Sequence, residues 1–185
     1  PFEMPPYSEI SDEDFAPALE ATLAEARANV AAIADNPEPP TFENTIEALE
    51  LADAALGRML GVFYSLAGAD SNPAREALQR EFAPKLAAYS SDVTLNERLF
   101  ARIEALWQGR EALGLNDEQS RVLMLTRRGF VRAGAQLKGA ARDRLREIMA
   151  RLSVLGTQFT QNLLADERDW FMELSEDDLA GLPGF

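Results

Sequence analysis

The chain has 185 residues, 46% hydrophobic and 26% charged, the proportions of an ordinary folded domain with room for a real core. Eighteen basic against 31 acidic residues give a formal net charge of −13, a sum that repels a phosphate backbone and argues against nucleic acid. Cysteine and histidine are both absent, which removes disulfides, thiolate metal sites and every zinc, di-iron or triad chemistry that needs an imidazole.

Residues 1–10 are rich in proline and read as an extended arm, with Phe2, Met4, Tyr7 and Ile10 as its apolar anchors. The opening PFEMPPYSEISDED has no basic or apolar leader segment, and no window approaches the ~18–20 apolar residues that cross a bilayer. No membrane partner is expected, and the cytoplasm is the expected location. Ser11 followed by Asp14 is a capping signal, and Pro17 suits a first helical turn. A helix is predicted from Asp12 or Ala16 to Asp35, with Leu19, Leu23, Val30 and Ile33 inward. Asn36-Pro37-Glu38-Pro39-Pro40 ends it, because proline lacks a donor and disfavours helix in the residue before it.

Thr41 is placed to cap a second helix, Phe42 to Ala69, with Phe42, Ile46, Leu49, Leu56, Leu60 and Phe63 on its apolar face. Asp53 interrupts that face; a slight rotation would turn Ala52 inward and Asp53 to water. Asn72-Pro73 starts a third helix to Thr94, with Leu78, Phe82, Leu86, Tyr89 and Val93 inward. Pro84 predicts a kink or a break within it. Asn96 opens a helix to Gln108, and Asn116 to Gln119 opens another to Ala133.

The strongest pattern comes last. Leu145, Ile148, Leu152, Leu155, Phe159 and Leu163 step by three and four along one stripe, predicting a packed helix from Gly139 to Asp166, about 40 Å long. Gly156 in its middle costs about 1 kcal/mol against alanine, and close approach of a neighbouring helix would account for it. Arg168 to Leu174 has too few turns for a helix and allows a short strand. Ser175 with Asp178 caps a final short helix, Glu176 to Ala180. The whole reads as an all-α, antiparallel, bundle-like domain: an arm over 1–10, main helices over 12–166 and a connector over 167–185. An opening on Pro1 and an end at Gly184-Phe185 read as those of a piece of a longer protein. Trp170, Phe171, Leu182 and Phe185 would then pack on the remainder.

Chemistry is sparse. Glu43 with Glu47, Glu47 with Glu50, and Glu20 with Glu25 are helix-surface neighbours, but acid–base work needs a desolvated carboxylate with a shifted pKa. Gly68 to Asn72 is too short and too poor in oxygen ligands for calcium. Arg127, Arg128, Arg132, Lys138, Arg142, Arg144 and Arg146 form the one basic region and are read as balancing acidic neighbours. Gln158, Gln161 and Asn162 form a polar strip beside the last helix's apolar stripe. It could line a channel for a peptide backbone or bond an adjacent helix.

Two phrases resemble a known family. Pro40-Thr41-Phe42-Glu43-Asn44-Thr45-Ile46 and Leu152-Ser153-x-Leu155-Gly156-x-x-Phe159-x-x-Asn162-Leu163 are similar to passages in the thimet oligopeptidase-like metallopeptidases. Leu95 to Leu106, Gly114 to Arg121 and Asp178 to Pro183 follow in the same order. The resemblance covers essentially the whole chain and is nearest the bacterial peptidyl-dipeptidase and oligopeptidase A branch. It implies the N-terminal helical part of a zinc peptidase that cleaves short peptides, forming a wall or lid of the substrate channel. Zinc, the HExxH helix and the catalytic glutamate would belong to the catalytic domain of the same polypeptide. No residue here matches them, so no catalytic or metal residue is carried over and the segment alone is expected to be inactive. The alternative is a free-standing helical module that binds a peptide or protein.

Overall fold

Helix caps placed by single polar side chains organise the chain into a succession of helices, in a computed structural model that describes residues 5–175 together with 178, 180 and 181. Helix α1 spans Phe15–Ala34; before it, the Ser11 amide and hydroxyl both donate to Asp14 Oδ2, at 2.8 and 2.9 Å. A π-helical turn over Phe42–Glu47 leads into the short α2, Ala48–Leu51. Helix α3 spans Ala54–Ala69, α4 Pro73–Thr94, α5 Glu97–Gly109, α6 Asp117–Arg132 and α7 Ala140–Asp169. Asn72, Asn96 and Asn116 each accept a backbone N–H from the first turn of the helix that follows, at 2.8–3.0 Å. These bonds satisfy donors that helix geometry leaves without partners.

Helix α1 is the shared wall of two cores. Its first half, through Phe15, Leu19 and Leu23, packs with Leu56 and Phe63 of α3 and Phe82 and Tyr89 of α4. The Phe63 ring sits 5.0 Å from Phe15 and 4.8 Å from Phe82, centroid to centroid. The second half, through Val30 and Ile33, packs with Phe42, Ile46, Leu99, Ile103, Leu123 and Phe130. The inward residues expected of the first helix are all buried.

The segment read as one helix from Phe42 to Ala69 is divided at Ala52-Asp53, where Asp53 takes φ −117° and ψ 21°. Asn29 Nδ2 donates to the Ala52 carbonyl at 2.9 Å, which occupies an acceptor that a continuous helix would use itself. Ala52 is buried and Asp53 exposed, as the polar interruption of the stripe suggested. The expected break at Pro84 does not occur, since α4 runs from Pro73 to Thr94 with Pro84 inside it. No strand is found among the described residues, and 170–174 carry no regular structure after α7. Ser175 and Asp178 do bond as a cap, at 2.9 and 2.6 Å. Most of the helix expected beyond them, and the arm's Phe2 and Met4, lie outside the described residues.

The turn into α7 depends on Gly134. Its φ is +94°, a backbone conformation that favours glycine, and a Cβ built there would stand 2.4 Å from Leu145 Cδ2, so the tip of that side chain would have to shift. Helix α7 then lies antiparallel to α4: Met149 is beside Ser91, Ser153 beside Ala83, and Gln161 beside Glu76.

Candidate functional site

The 30 residues of α7 make a rod about 45 Å long. Its contact face repeats every four residues through Met149, Ser153, Thr157 and Gln161, all half-buried. Ser153 Oγ donates to the Ala83 carbonyl at 2.9 Å, and Ser91 Oγ to Met149 Sδ at 3.7 Å. Small and polar side chains hold this helix to the domain.

Leu145, at the start of the apolar stripe, is half-buried near Gly134, but from Ile148 onward the stripe points elsewhere, which corrects the expectation that it packs within the domain. Leu152 is 61% exposed and Phe159 71%, with Ile148, Leu155 and Leu163 also open to solvent. Trp170 and Phe171 extend the exposed apolar surface past the helix end. Five large side chains at helical spacing on one face form an unpartnered surface of the kind that marks an interaction site. Gly156 serves no close approach here, because a Cβ added to it meets nothing within 4 Å.

The polar strip divides between these surroundings. Gln161 Oε1 accepts from Arg80 Nη1 at 2.8 Å, and its Nε2 donates to the Glu76 carbonyl at 3.0 Å. Both ends of that amide are committed to α4. Gln158 and Asn162, by contrast, are exposed beside the stripe.

A second feature, missed in the sequence, is an open trough. One cavity of about 670 Å³ lies between the Phe42–Leu51 segment and α6, and another of about 660 Å³ continues toward α4. They share Glu50, Leu125 and Thr126. No motif announces this trough, because its lining is assembled from the Phe42–Leu51 segment, α3, α4 and α6.

The acidic groups weighed for catalysis do not form a desolvated pair. Glu20 and Glu81 both engage Lys85, and those hydrogen bonds raise the lysine's pKa. Glu104 meets Arg127 Nε at 2.7 Å, and that hydrogen bond holds its carboxyl below the usual range. Arg127 also lies 5.2 Å from the Trp107 ring centroid. Arg142 pairs with Glu97 and Arg144 with Glu147, so three of the seven residues of the basic region, Arg127 among them, answer acidic neighbours. A zinc site needs nitrogen, sulfur or convergent carboxylate donors. The chain has no histidine or cysteine, and no three carboxylates converge among the described residues. These residues do not fit that metal. No helix of the described structure is long and apolar enough to cross a membrane.

No family model matches the chain. Individual relatives do. The chain is 36% identical over 184 residues to the dipeptidyl carboxypeptidase of Escherichia coli strain K12, covering 100% of this chain and 27% of that protein. Against oligopeptidase A of the same organism the identity is 31% over 184 residues, 99% of this chain and 27% of the relative. A thimet-like oligopeptidase of Dictyostelium discoideum is 28% identical over 149 residues, 79% of this chain and 22% of that protein. The chain therefore spans about a quarter of the length of the curated relatives it matches.

Proposed function

The chain belongs to the family of dipeptidyl carboxypeptidase and oligopeptidase A, and we propose that it is the N-terminal helical part of a zinc-dependent peptidase that hydrolyses short peptides. The observation that carries this reading is the match itself: 184 residues of this chain align at 36% identity, yet to 27% of the relative. The remaining length of such a relative leaves room for a catalytic half. In this reading α7 is the helix on which that half rests, with its exposed stripe as the contact and residues 167–185 as the connector. The segment forms a wall or lid of the substrate channel, with Gln158 and Asn162 at its edge, and the enzyme works in the cytoplasm. Zinc, when bound by the catalytic half, activates the attacking water; this segment supplies no ligand to it and is inactive alone.

The test joins this chain to the polypeptide that follows it in its reading frame and compares both on an internally quenched short peptide. The joined protein is expected to cleave the peptide and to carry stoichiometric zinc, and the 185 residues alone to do neither. Cleavage by the isolated chain, or a stop codon directly after Phe185, would overturn the proposal. The second reading, a free-standing peptide-binding module, is favoured by the trough between α2, α3, α4 and α6, and a stop codon directly after Phe185 would support it.

A further inference from the structure

We propose that α7 closes on a second copy of the chain, its exposed stripe forming an antiparallel two-fold helix pair with the axis between Leu155 and Gly156. This pairing goes beyond the peptidase reading, in which the catalytic half takes the same stripe, and belongs to the chain without that half.

Three observations carry it. The first is a mirror within the stripe. In a two-fold pair, residue i of one copy meets residue j of the other, and j meets i. With the axis between Leu155 and Gly156, Ile148 faces Leu163 and Leu152 faces Phe159, and all four side chains are exposed. Each large apolar group thus meets another, along a contact of roughly 35 Å from Arg144 to Glu167.

The second is charge. The same axis sets Arg144 against Glu167 and Asp143 against Arg168, all exposed. No position between 143 and 168 meets a like charge in this register. Arg144 is engaged by Glu147 of its own helix, with 70% and 67% of the two side chains exposed, a pairing weak enough to be exchanged.

The third is space at the axis. A Cβ added to Gly156 meets nothing within 4 Å, so Leu155 of the other copy finds a gap there, and a small residue at a crossing lets two helices approach.

The same facts identify the occupant. A stripe whose apolar and charged positions mirror about its own centre complements itself. The face that carries Ser153 and Gln161 is committed to α4 and does not compete. Each copy brings a net charge of −13, but across Ala140–Asp169 five arginines balance five carboxylates, so the excess acid lies off the contact. One helix pair is at the small end of what a stable dimer needs. Association therefore falls in the micromolar range, and dilute chain leaves the stripe open.

The experiment is sedimentation equilibrium of the 185-residue chain at about 0.15 M salt. The chain is expected to pass from monomer to dimer between roughly 1 and 100 µM and to stop there, because a two-fold contact closes. Arg144→Glu and Glu167→Arg should each weaken the dimer at least about fivefold. The double variant should restore it, since the swap rebuilds both pairs across the axis. Phe159→Glu should abolish it, with circular dichroism checking that the fold survives. The chain has no cysteine of its own. Leu155→Cys should therefore cross-link two copies under mild oxidation, whereas Leu163→Cys, whose two copies would stand about 22 Å apart along the helices, should not. A monomer at every concentration, growth beyond two copies, no rescue by the double variant, or cross-linking at Leu163→Cys would each overturn the proposal. The joined protein separates the two readings. If it is monomeric and cleaves while the isolated chain dimerises, both stand. If it cleaves nothing, the peptidase reading falls and the dimer of the isolated chain remains.

Discussion

Arg102 Nη2 donates to Asn44 Oδ1 at 2.8 Å, joining α5 to the turn that starts the second helical segment. The same oxygen accepts the Thr41 amide at 2.8 Å and the Thr45 hydroxyl at 2.9 Å. Arg102 Nη1 reaches the Asn36 and Glu38 carbonyls, at 2.8 and 3.0 Å. A cation only 8% exposed is thus held by neutral acceptors, and it pins the proline-rich link between α1 and the π-helical turn. Carbonyls that no helix can use find their partner in a residue far along the chain.

Arg102→Ala should therefore destabilise the fold by about 3 kcal/mol, since charged hydrogen bonds are lost and buried acceptors are left bare. Arg102→Lys should recover only part, because an ammonium cannot span all three acceptors. Urea denaturation reads both. An unshifted midpoint for the alanine variant would contradict the role given to this side chain.

Gly134→Ala forces a left-handed backbone on a residue with a Cβ and makes the tip of Leu145 move aside. The cost should be at least about 1 kcal/mol, seen as a lower melting temperature. Gly156→Ala is expected to go the other way, by up to about 1 kcal/mol, since its Cβ would meet nothing within 4 Å.

The two faces of α7 should respond oppositely. Gln161→Ala removes two bonds to α4 and should cost about 1 kcal/mol, with faster amide exchange along α7. Leu152→Glu with Phe159→Glu should leave the isolated chain's stability unchanged, abolish its binding of an apolar dye and disable the joined peptidase. A large loss of stability from the double variant would mean that the stripe already has a partner within these residues.

Acid should weaken the fold in a definite window. The hydrogen bond from Arg127 lowers the Glu104 pKa from an ordinary value near 4.5; Asp12 is lowered by Asn72 and then by Arg75. A lowered folded pKa means the unfolded chain binds more protons, so this stabilisation is complete above the unfolded pKa and is lost as pH falls through the folded one. Denaturation midpoints should hold above about pH 5 and decline below about pH 4.5. Glu104→Gln should flatten that decline; an identical acid limb would remove Glu104 from the explanation.

The sequence by itself determined the helices, because their signals are local. Asn72, Asn96 and Asn116 bond to backbone two or three residues ahead, and proline stops α1 through its own ring. It also determined that Leu152 and Phe159 share a face, since that follows from helical periodicity alone. The tertiary structure decided what each face meets. An apolar stripe records a surface suited to burial, but not whether the burying partner lies in the same residues; here α4 takes the face of Ser153 and Gln161 instead. The division at Ala52-Asp53 needed Asn29, the buried place of Arg102 needed Asn36, Glu38 and Asn44, and the trough needed α2, α3, α4 and α6 to come together. Each is an agreement between residues far apart in the chain, and no local pattern carries that information.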